Sequence, residues 1–299
     1  MSYIIFDPKN PIRVRSLSPL GYYPKHSILL PSGCMFVYDD LIMSAVKIGP
    51  PTSHCLTADH YTELEFLTFE EIRFLAAIVL SVHPDDGMAY CYPLFEYKDV
   101  PVDLDQTTLY AIGKAQAAEL ISEAGLNKGT VVPTCAGGPT YETRDVDLNS
   151  AAVSEIAQAI DLKDHLLMRG LGCLLRADMC WRHREIAEAA VMLLHVSLDA
   201  SFQMMLRSLR ERGNINPTSR DAGQLLDEVF NPSIETGNYF QDYYEDRIRV
   251  IHPFSRLGIF PFAPLAADDY YFLRHALVEV YYWLVTKRKL HPLPPPLNG

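Results

Sequence analysis

The stretch that decides the fold is residues 193–206, LLHVSLDASFQMML, which lies inside a longer amphipathic segment. Apolar residues recur along this segment at steps of three and four, at Val191, Leu194, Leu198, Phe202, Met205 and Leu209. That spacing brings their side chains onto one face of a helix, where they form a continuous apolar stripe. The pattern predicts one long helix over 184–212, ended by Gly213.

Shorter helices are predicted on both sides of this segment. Before it, Asn149 and Asp164 are suitable N-cap residues for helices over 150–160 and 166–179, because their side chains accept from unpaired backbone N–H groups. After it, we predict three helices, over 219–230 with Ser219 as the cap, over 238–251, and over 266–289. The last one ends in Lys287, Arg288 and Lys289, which the helix macrodipole favours there.

The N-terminal half has a different pattern of apolar and turn-forming residues. Short apolar runs at 3–6, 27–30, 35–38 and 41–46 are separated by Pro, Gly and Asp-Asp, which is typical of strands and turns. Thr68 and Glu71 fit a capping box for a helix over 69–82, and a second helix is predicted over 107–124, ended by Gly125. Residues 88–104, between the two helices, are predicted to be extended.

The boundary between the two halves is predicted in the segment 129–147. This segment holds Pro133 and the turn Gly137-Gly138-Pro139. We therefore expect a mixed α/β domain of unknown role over 1–145 and a helical domain over 146–299, so that the chain is α+β and mainly α. The alternative is a long loop inside one larger domain.

Composition restricts the classes of protein to consider. The first residues lack a secretory signal, no run of about 18 uninterrupted apolar residues is present, and the six cysteines are scattered. We therefore expect a cytoplasmic protein with reduced thiols and no membrane span.

The net charge is −11, divided into −8 for residues 1–145 and −3 for residues 146–299. An acidic chain has no global attraction for nucleic acid, so RNA binding would need a local basic patch.

One motif carries a family resemblance. Residues 239–253 read YFQDYYEDRIRVIHP, in which Arg247 and His252 form an Arg-x4-His motif at the end of a predicted helix. The motif follows a long amphipathic helix carrying Asp199 among apolar residues, and it precedes a final apolar helix. In this order of elements, residues 185–290 resemble the HEPN family, which has an Arg-x4–6-His motif on a helical bundle.

The resemblance implies metal-independent cleavage of RNA by a homodimer in a defence or toxin-type system, with no cofactor. In that interpretation Arg247 and His252 are catalytic. Tyr243 and Tyr244 are candidates for stacking on RNA bases, but aromatic residues at this three- and four-residue spacing more often belong to a core or a dimer interface. The remaining candidates support the pair through charge, and they are Asp199, Glu245, Asp246 and Arg249.

The helical geometry of the motif favours a dimeric site. Pro253 disfavours helical backbone at His252, so the helix should end there, where its dipole stabilises a charged imidazole. Arg247 lies five residues earlier and about 140° round the helix, and Arg249 is the closer neighbour of His252 on one face. Arg247 and His252 therefore cooperate more readily when two copies of the helix meet across a twofold axis.

Other candidate sites are weaker in the sequence. Cys180 and His183 have metal-like spacing, with Cys173 nearby, but a fourth zinc ligand is missing from the pattern. Cys135 beside Gly137-Gly138, and the group His54, Cys55 and His60, match no catalytic or metal motif. Phosphate-binding glycine loops are also missing. The sequence thus predicts no metal and no nucleotide cofactor.

A non-catalytic function is the alternative hypothesis. In it, Arg247 pairs with Asp199 or Glu245, and His252 only caps its helix. The C-terminal domain would then be a helical dimerisation or partner-binding module, with the N-terminal domain acting as a sensor or adaptor.

Overall fold

The computed structural model describes residues 11–18, 21–38, 41–48, 67–82, 89–100, 105–126, 142–144, 148–181, 186–230 and 267–288. These residues form an antiparallel sheet with helices, followed by a helical region. The prediction of an α+β chain that is mainly α is confirmed. The chain divides into two compact units, Met1–Ala157 and Gln158–Gly299, whereas we placed the boundary after residue 145.

The first unit is built on a five-stranded antiparallel sheet. Its strands are β1 Ile12–Leu17, β3 Ile28–Leu30, β4 Gly33–Val37, β5 Ile42–Lys47 and β6 Pro93–Val100, in the spatial order β3-β4-β5-β1-β6. Three of these strands confirm the apolar runs at 27–30, 35–38 and 41–46. The run at 3–6 lies outside the described residues. Sequence analysis missed β1, because Arg13 and Arg15 interrupt its apolar pattern.

The two faces of β1 have different neighbours. Ile12 and Val14 join an apolar cluster with Phe36 and Leu109, the latter from helix α2 Gln106–Leu126. Ser16, on the same face, donates a hydrogen bond to the Gly113 carbonyl of α2 at 3.1 Å. On the opposite face Arg15 meets helix α1 Phe69–Ser81. Successive side chains of β1 point to opposite faces of the sheet, because side chains in a strand repeat every two residues.

A small parallel pair completes the described part of this unit. Strand β2 Tyr22–Pro24 pairs with β7 Glu142–Arg144. Strand β7 falls inside the segment 129–147, which we predicted to be a loop, and this pairing ties that part of the chain to the first unit. Helix α3, Ser150–Ala159, runs across the division between the units.

The second unit is helical. Its described helices are α4 His165–Trp181, α5 Ala187–Glu211, α6 Ser219–Phe230 and α7 Ala267–Thr286. Helix α5 contacts the other three, and α4 also contacts α7. The apolar stripe of α5 is buried at Val191, Leu194, Leu198 and Met205, so this face forms the centre of the unit. The predicted helix over 238–251 lies outside the described residues.

Most predicted helix caps are confirmed. Thr68 and Glu71 form the capping box of α1, Asn149 accepts from the Ala151 N–H, and Asp164 accepts from the Leu167 N–H. The prediction for Ser219 is wrong, because Ser219 is already helical. Thr218 accepts from the Asp221 N–H at 3.3 Å, and Asp221 accepts in return from the Thr218 N–H at 2.6 Å. Gly125 does not end α2, which continues to Leu126.

Helix α5 is long and apolar enough to cross a membrane by length and composition alone. The same properties belong to the central helix of a helical bundle, and 61% of its most apolar window is buried within the structure. The burial of this stripe against α4, α6 and α7 accounts for its composition.

Candidate functional site

The predicted catalytic motif lies outside the described residues. This applies to Arg247 and His252 and also to the supporting and stacking candidates Tyr243, Tyr244, Glu245, Asp246 and Arg249. The catalytic role of Arg247 and its alternative pairing with Asp199 or Glu245 therefore both stay predictions. Of the named site residues, Asp199 is described.

Asp199 is half-buried near the middle of α5. It shares one side of the helix with His195, four residues before it, and Phe202, three residues after it. His195 is buried at 2% exposure, and Phe202 is half-buried. The side of α5 that carries Asp199 thus combines a buried imidazole with a carboxylate and an aromatic ring.

A buried ion pair joins α4 to α7. The Arg274 Nε donates to Asp178 Oδ1 at 2.6 Å and its second guanidinium nitrogen donates to Oδ2 at 2.7 Å. The Tyr270 hydroxyl also donates to Asp178 Oδ1, at 2.5 Å. All three side chains are almost fully buried. A carboxylate that accepts three short hydrogen bonds is fixed in place, which suits a structural role better than proton transfer.

Aromatic rings cover this ion pair. The Trp181 ring stacks on Tyr270 with centroids 4.2 Å apart and an interplanar angle of 4°. The Trp181 Nε1 donates to the Tyr271 hydroxyl at 3.3 Å. Stacked rings exclude water and so strengthen the electrostatic attraction beneath them. The end of α4 and the start of α7 are therefore held together by charge and by aromatic packing.

A second polar junction lies deeper in the helical unit. The Tyr281 hydroxyl of α7 donates to the Ser197 carbonyl of α5 at 2.7 Å, and the Ser197 hydroxyl donates to the Gly170 carbonyl of α4 at 2.9 Å. Burial, opposed by the hydrogen bond with Ser197, raises the pKa of Tyr281, so its hydroxyl stays protonated. A Cβ at position 170 would lie 1.9 Å from the Tyr281 hydroxyl, which explains the glycine. This junction fixes the spacing of three helices.

The first unit contains a buried ion pair of its own. The Arg15 Nε donates to Glu71 Oε1 at 2.6 Å, and the Arg15 guanidinium also donates to the Leu94 carbonyl at 2.8 Å. Both side chains are 1% exposed. On the same face Arg13 pairs with Asp99 at 2.8 Å and lies 3.7 Å from the centroid of the Tyr97 ring. These contacts attach α1 and the edge strand β6 to β1.

Three of the described cysteines are not poised for nucleophilic chemistry. Burial raises the pKa of Cys34 to about 12 and raises the pKa of Cys173 and Cys180 above the ordinary value. Thiols with raised pKa values are poor nucleophiles at neutral pH. Within the described ranges, no three His, Cys, Asp or Glu side chains lie close enough to hold a metal ion. His54, Cys55, His60, Cys135 and His183 lie outside these ranges.

Sequence reasoning missed both buried ion pairs. Asp178 and Arg274 are 96 positions apart, and Arg15 and Glu71 are 56 positions apart, so no local pattern connects the partners. The available signal was a charged residue on an otherwise apolar face of a predicted helix or strand. Such a charged residue indicates that its position is unusual, but it does not identify the residue with which it pairs.

Comparison with known protein families, with curated proteins and with solved structures finds no match to this chain.

Proposed function

We propose that this protein is a metal-independent endoribonuclease of HEPN type that acts as a homodimer in a defence or toxin-type system. The observation that supports the proposal is the order and packing of the helices that flank the Arg-x4-His motif in the sequence. The motif lies in sequence between α6 and α7, and both of these helices pack on α5, which carries Asp199. The resemblance to the HEPN family implies this order of elements.

In the proposed reaction the ribose 2′-hydroxyl attacks the adjacent phosphorus atom, and the bond from phosphorus to the 5′-oxygen breaks. His252 takes the proton of the 2′-hydroxyl, and the partner's His252 protonates the leaving 5′-oxygen. Arg247 stabilises the charge that accumulates on the non-bridging oxygens in the transition state. The products are a 2′,3′-cyclic phosphate and a 5′-hydroxyl, so DNA is not a substrate.

The test is cleavage of a panel of single-stranded RNAs in EDTA. We expect wild type to cut, and we expect His252→Ala and Arg247→Ala each to lower the rate by about 100-fold or more. The matched controls are His26→Ala and Arg169→Ala, which alter exposed residues of the same types outside the motif. RNA with 2′-O-methyl groups should remain intact, because it has no free nucleophile.

Two results would reject the enzyme proposal. One is a folded wild-type protein that cuts none of the RNAs, and the other is a folded His252→Ala variant that cuts at the wild-type rate. The chain would then be assigned to the non-catalytic alternative, a helical dimerisation or partner-binding module. Sedimentation analysis tests the homodimer separately, since that module would also form one.

A further inference from the structure

Basic side chains collect at one end of the helical unit. The C-terminal ends of α5 and α7 both lie at the end where α4 begins. Helix α7 runs antiparallel to α4, because Arg274 pairs with Asp178 while Tyr281, further along α7, lies beside Gly170 near the start of α4. Asp164, at the start of α4, reaches the same end through its ion pair with Arg207. We call this surface the basic end and define it by the exposed residues Arg207, Arg210, Arg212, Lys287 and Arg288.

The ends of the two helices are fixed by their backbone. Gly213 adopts a φ of +97°, and Asn214 donates from its N–H to the Leu209 carbonyl at 3.0 Å, which closes α5. Lys287 adopts a φ of 59° and donates from its N–H to the Trp283 carbonyl at 2.7 Å, which closes α7. The basic side chains therefore project from defined positions and not from a frayed terminus.

The basic residues exceed what the helix dipoles require. Each helix C-terminus carries the equivalent of about half a negative charge, so the ends of α5 and α7 contribute about one unit. Asp161, Asp164 and Glu211 add three negative charges, and Lys163 adds a positive charge to the five of the basic end. The N-terminus of α4 adds about half a positive charge. Among these charges of the described residues, a surplus of about two and a half positive charges remains.

The charges around Lys287 and its partial burial act together on its pKa. Partial burial lowers its pKa first, Glu211 opposes this, and Arg212 and Arg207 lower the pKa further by repulsion. The ammonium also lies 5.0 Å from the centroid of the Trp283 ring. A bound anion would relieve the repulsion among these cations. In a chain of net charge −11, such a local surplus is where a polyanion would be held.

We propose that the basic end binds single-stranded RNA through its phosphates and so positions the substrate of the proposed ribonuclease. This inference rests on the proposed function for the identity of the polyanion. Contacts of this kind are independent of base sequence, because they are made to phosphate oxygens. These contacts increase the affinity for RNA and position the strand along the protein, whereas Arg247 and His252 carry out the cleavage.

The test measures binding separately from cleavage. The probe is a fluorescein-labelled, unstructured 2′-O-methyl oligonucleotide, which cannot be cut through its 2′ position, and the readout is fluorescence anisotropy at several salt concentrations. The test variant is Arg212→Gln/Lys287→Gln/Arg288→Gln, which keeps Arg207 and its ion pair with Asp164. The control is Lys25→Gln/Lys98→Gln/Lys114→Gln, which alters three exposed residues of the first unit and reaches the same net charge.

We expect the test variant to bind the probe about tenfold or more weakly, while the control binds like wild type. The slope of log affinity against log salt should fall by about 0.7 for each phosphate contact removed. Equal binding by the test variant and wild type would overturn the proposal, and so would failure of wild type to bind the probe at low salt. Binding to vesicles containing phosphatidylserine without binding to the probe would also overturn it.

Lysine acetylation provides a second readout that needs no substitution. In wild type, the probe should protect Lys287 from acetylation more than it protects Lys25 or Lys98. Equal protection of the three lysines would count against the basic end even if the triple variant failed to fold. If wild type binds the probe through this surface but cuts no RNA, the ribonuclease proposal fails and the binding surface stands.

Discussion

Asp178 and Arg274 show how single residues hold the helical unit together. Their bidentate pair is buried between α4 and α7, and Tyr270 donates a further hydrogen bond to the same carboxylate. Burying two charges costs solvation energy that their mutual attraction offsets when the geometry is good. Loss of one partner leaves the other charge buried without compensation, which is far more costly than losing both.

The prediction for this pair is a pattern across three variants. Asp178→Asn and Arg274→Met should each lower the free energy of unfolding by about 3–5 kcal/mol, measured by urea titration. Asp178→Leu/Arg274→Met should lose less than either single variant, because no charge remains buried. The control is Arg207→Gln, whose side chain is 46% exposed and whose loss should cost about 1 kcal/mol or less. A double variant that loses the sum of the two single losses would contradict this account.

The same residues mark the limit of reading a site from sequence. Asp199 was named because the resemblance to the HEPN family implies an acidic residue among the apolar ones of this helix, and it is half-buried. Asp178 and Arg15 also interrupt apolar patterns, but each is satisfied by a partner far along the chain. From sequence alone, a carboxylate that supports catalysis cannot be distinguished from one that forms a buried ion pair, because both interrupt an apolar stripe.

Elements whose ends depend on neighbouring residues were predicted well. The caps at Thr68, Asn149 and Asp164 need only a side chain that reaches an N–H two or three residues ahead. Strand β1 was missed because Arg13 and Arg15 look like surface residues until Asp99 and Glu71 are brought beside them. Local chemistry is visible in the sequence, whereas burial created by distant segments is not.

The start of α6 offers a direct test of a cap. Thr218 and Asp221 exchange hydrogen bonds there, while Ser219 is already within the helix. Thr218→Ala should therefore lower the free energy of unfolding by about 1 kcal/mol, because an N–H of the first turn loses its acceptor. Ser219→Ala is the matched control and should change stability by less than about 0.5 kcal/mol. Equal losses in the two variants, measured by thermal or urea unfolding, would show that Thr218 is not the cap.

At the scale of the whole molecule, each compact unit has its own core and its own buried ion pair. The first unit uses Arg15 with Glu71, and the second uses Asp178 with Arg274. Units with separate cores often unfold separately. The change in residue pattern between the two halves of the sequence predicted two domains. It could not place the division at Ala157, since the pairing of β7 with β2 joins segments that are far apart in the chain.

The division can be tested with the tryptophans. The chain has two, Trp181 and Trp283, and both lie in the second unit, so tryptophan fluorescence reports that unit while far-UV circular dichroism reports both. Glu71→Gln removes the charge that compensates Arg15 but keeps a side chain suited to the capping box. We expect it to lower the stability of the first unit by about 3–5 kcal/mol. The circular dichroism transition should move, and the fluorescence transition should not.

Asp178→Asn is the reciprocal variant. It should shift the fluorescence transition by about 3–5 kcal/mol of stability and leave unchanged the part of the circular dichroism signal that comes from the first unit. Two variants that shift both signals equally would show that the chain unfolds as one cooperative body. In that case an effect of the first unit on RNA cleavage would arise through stability alone. Separate transitions would instead allow the first unit to be loosened by Glu71→Gln while the second stays folded. Any change in cleavage under those conditions would identify the first unit as a regulator of the second.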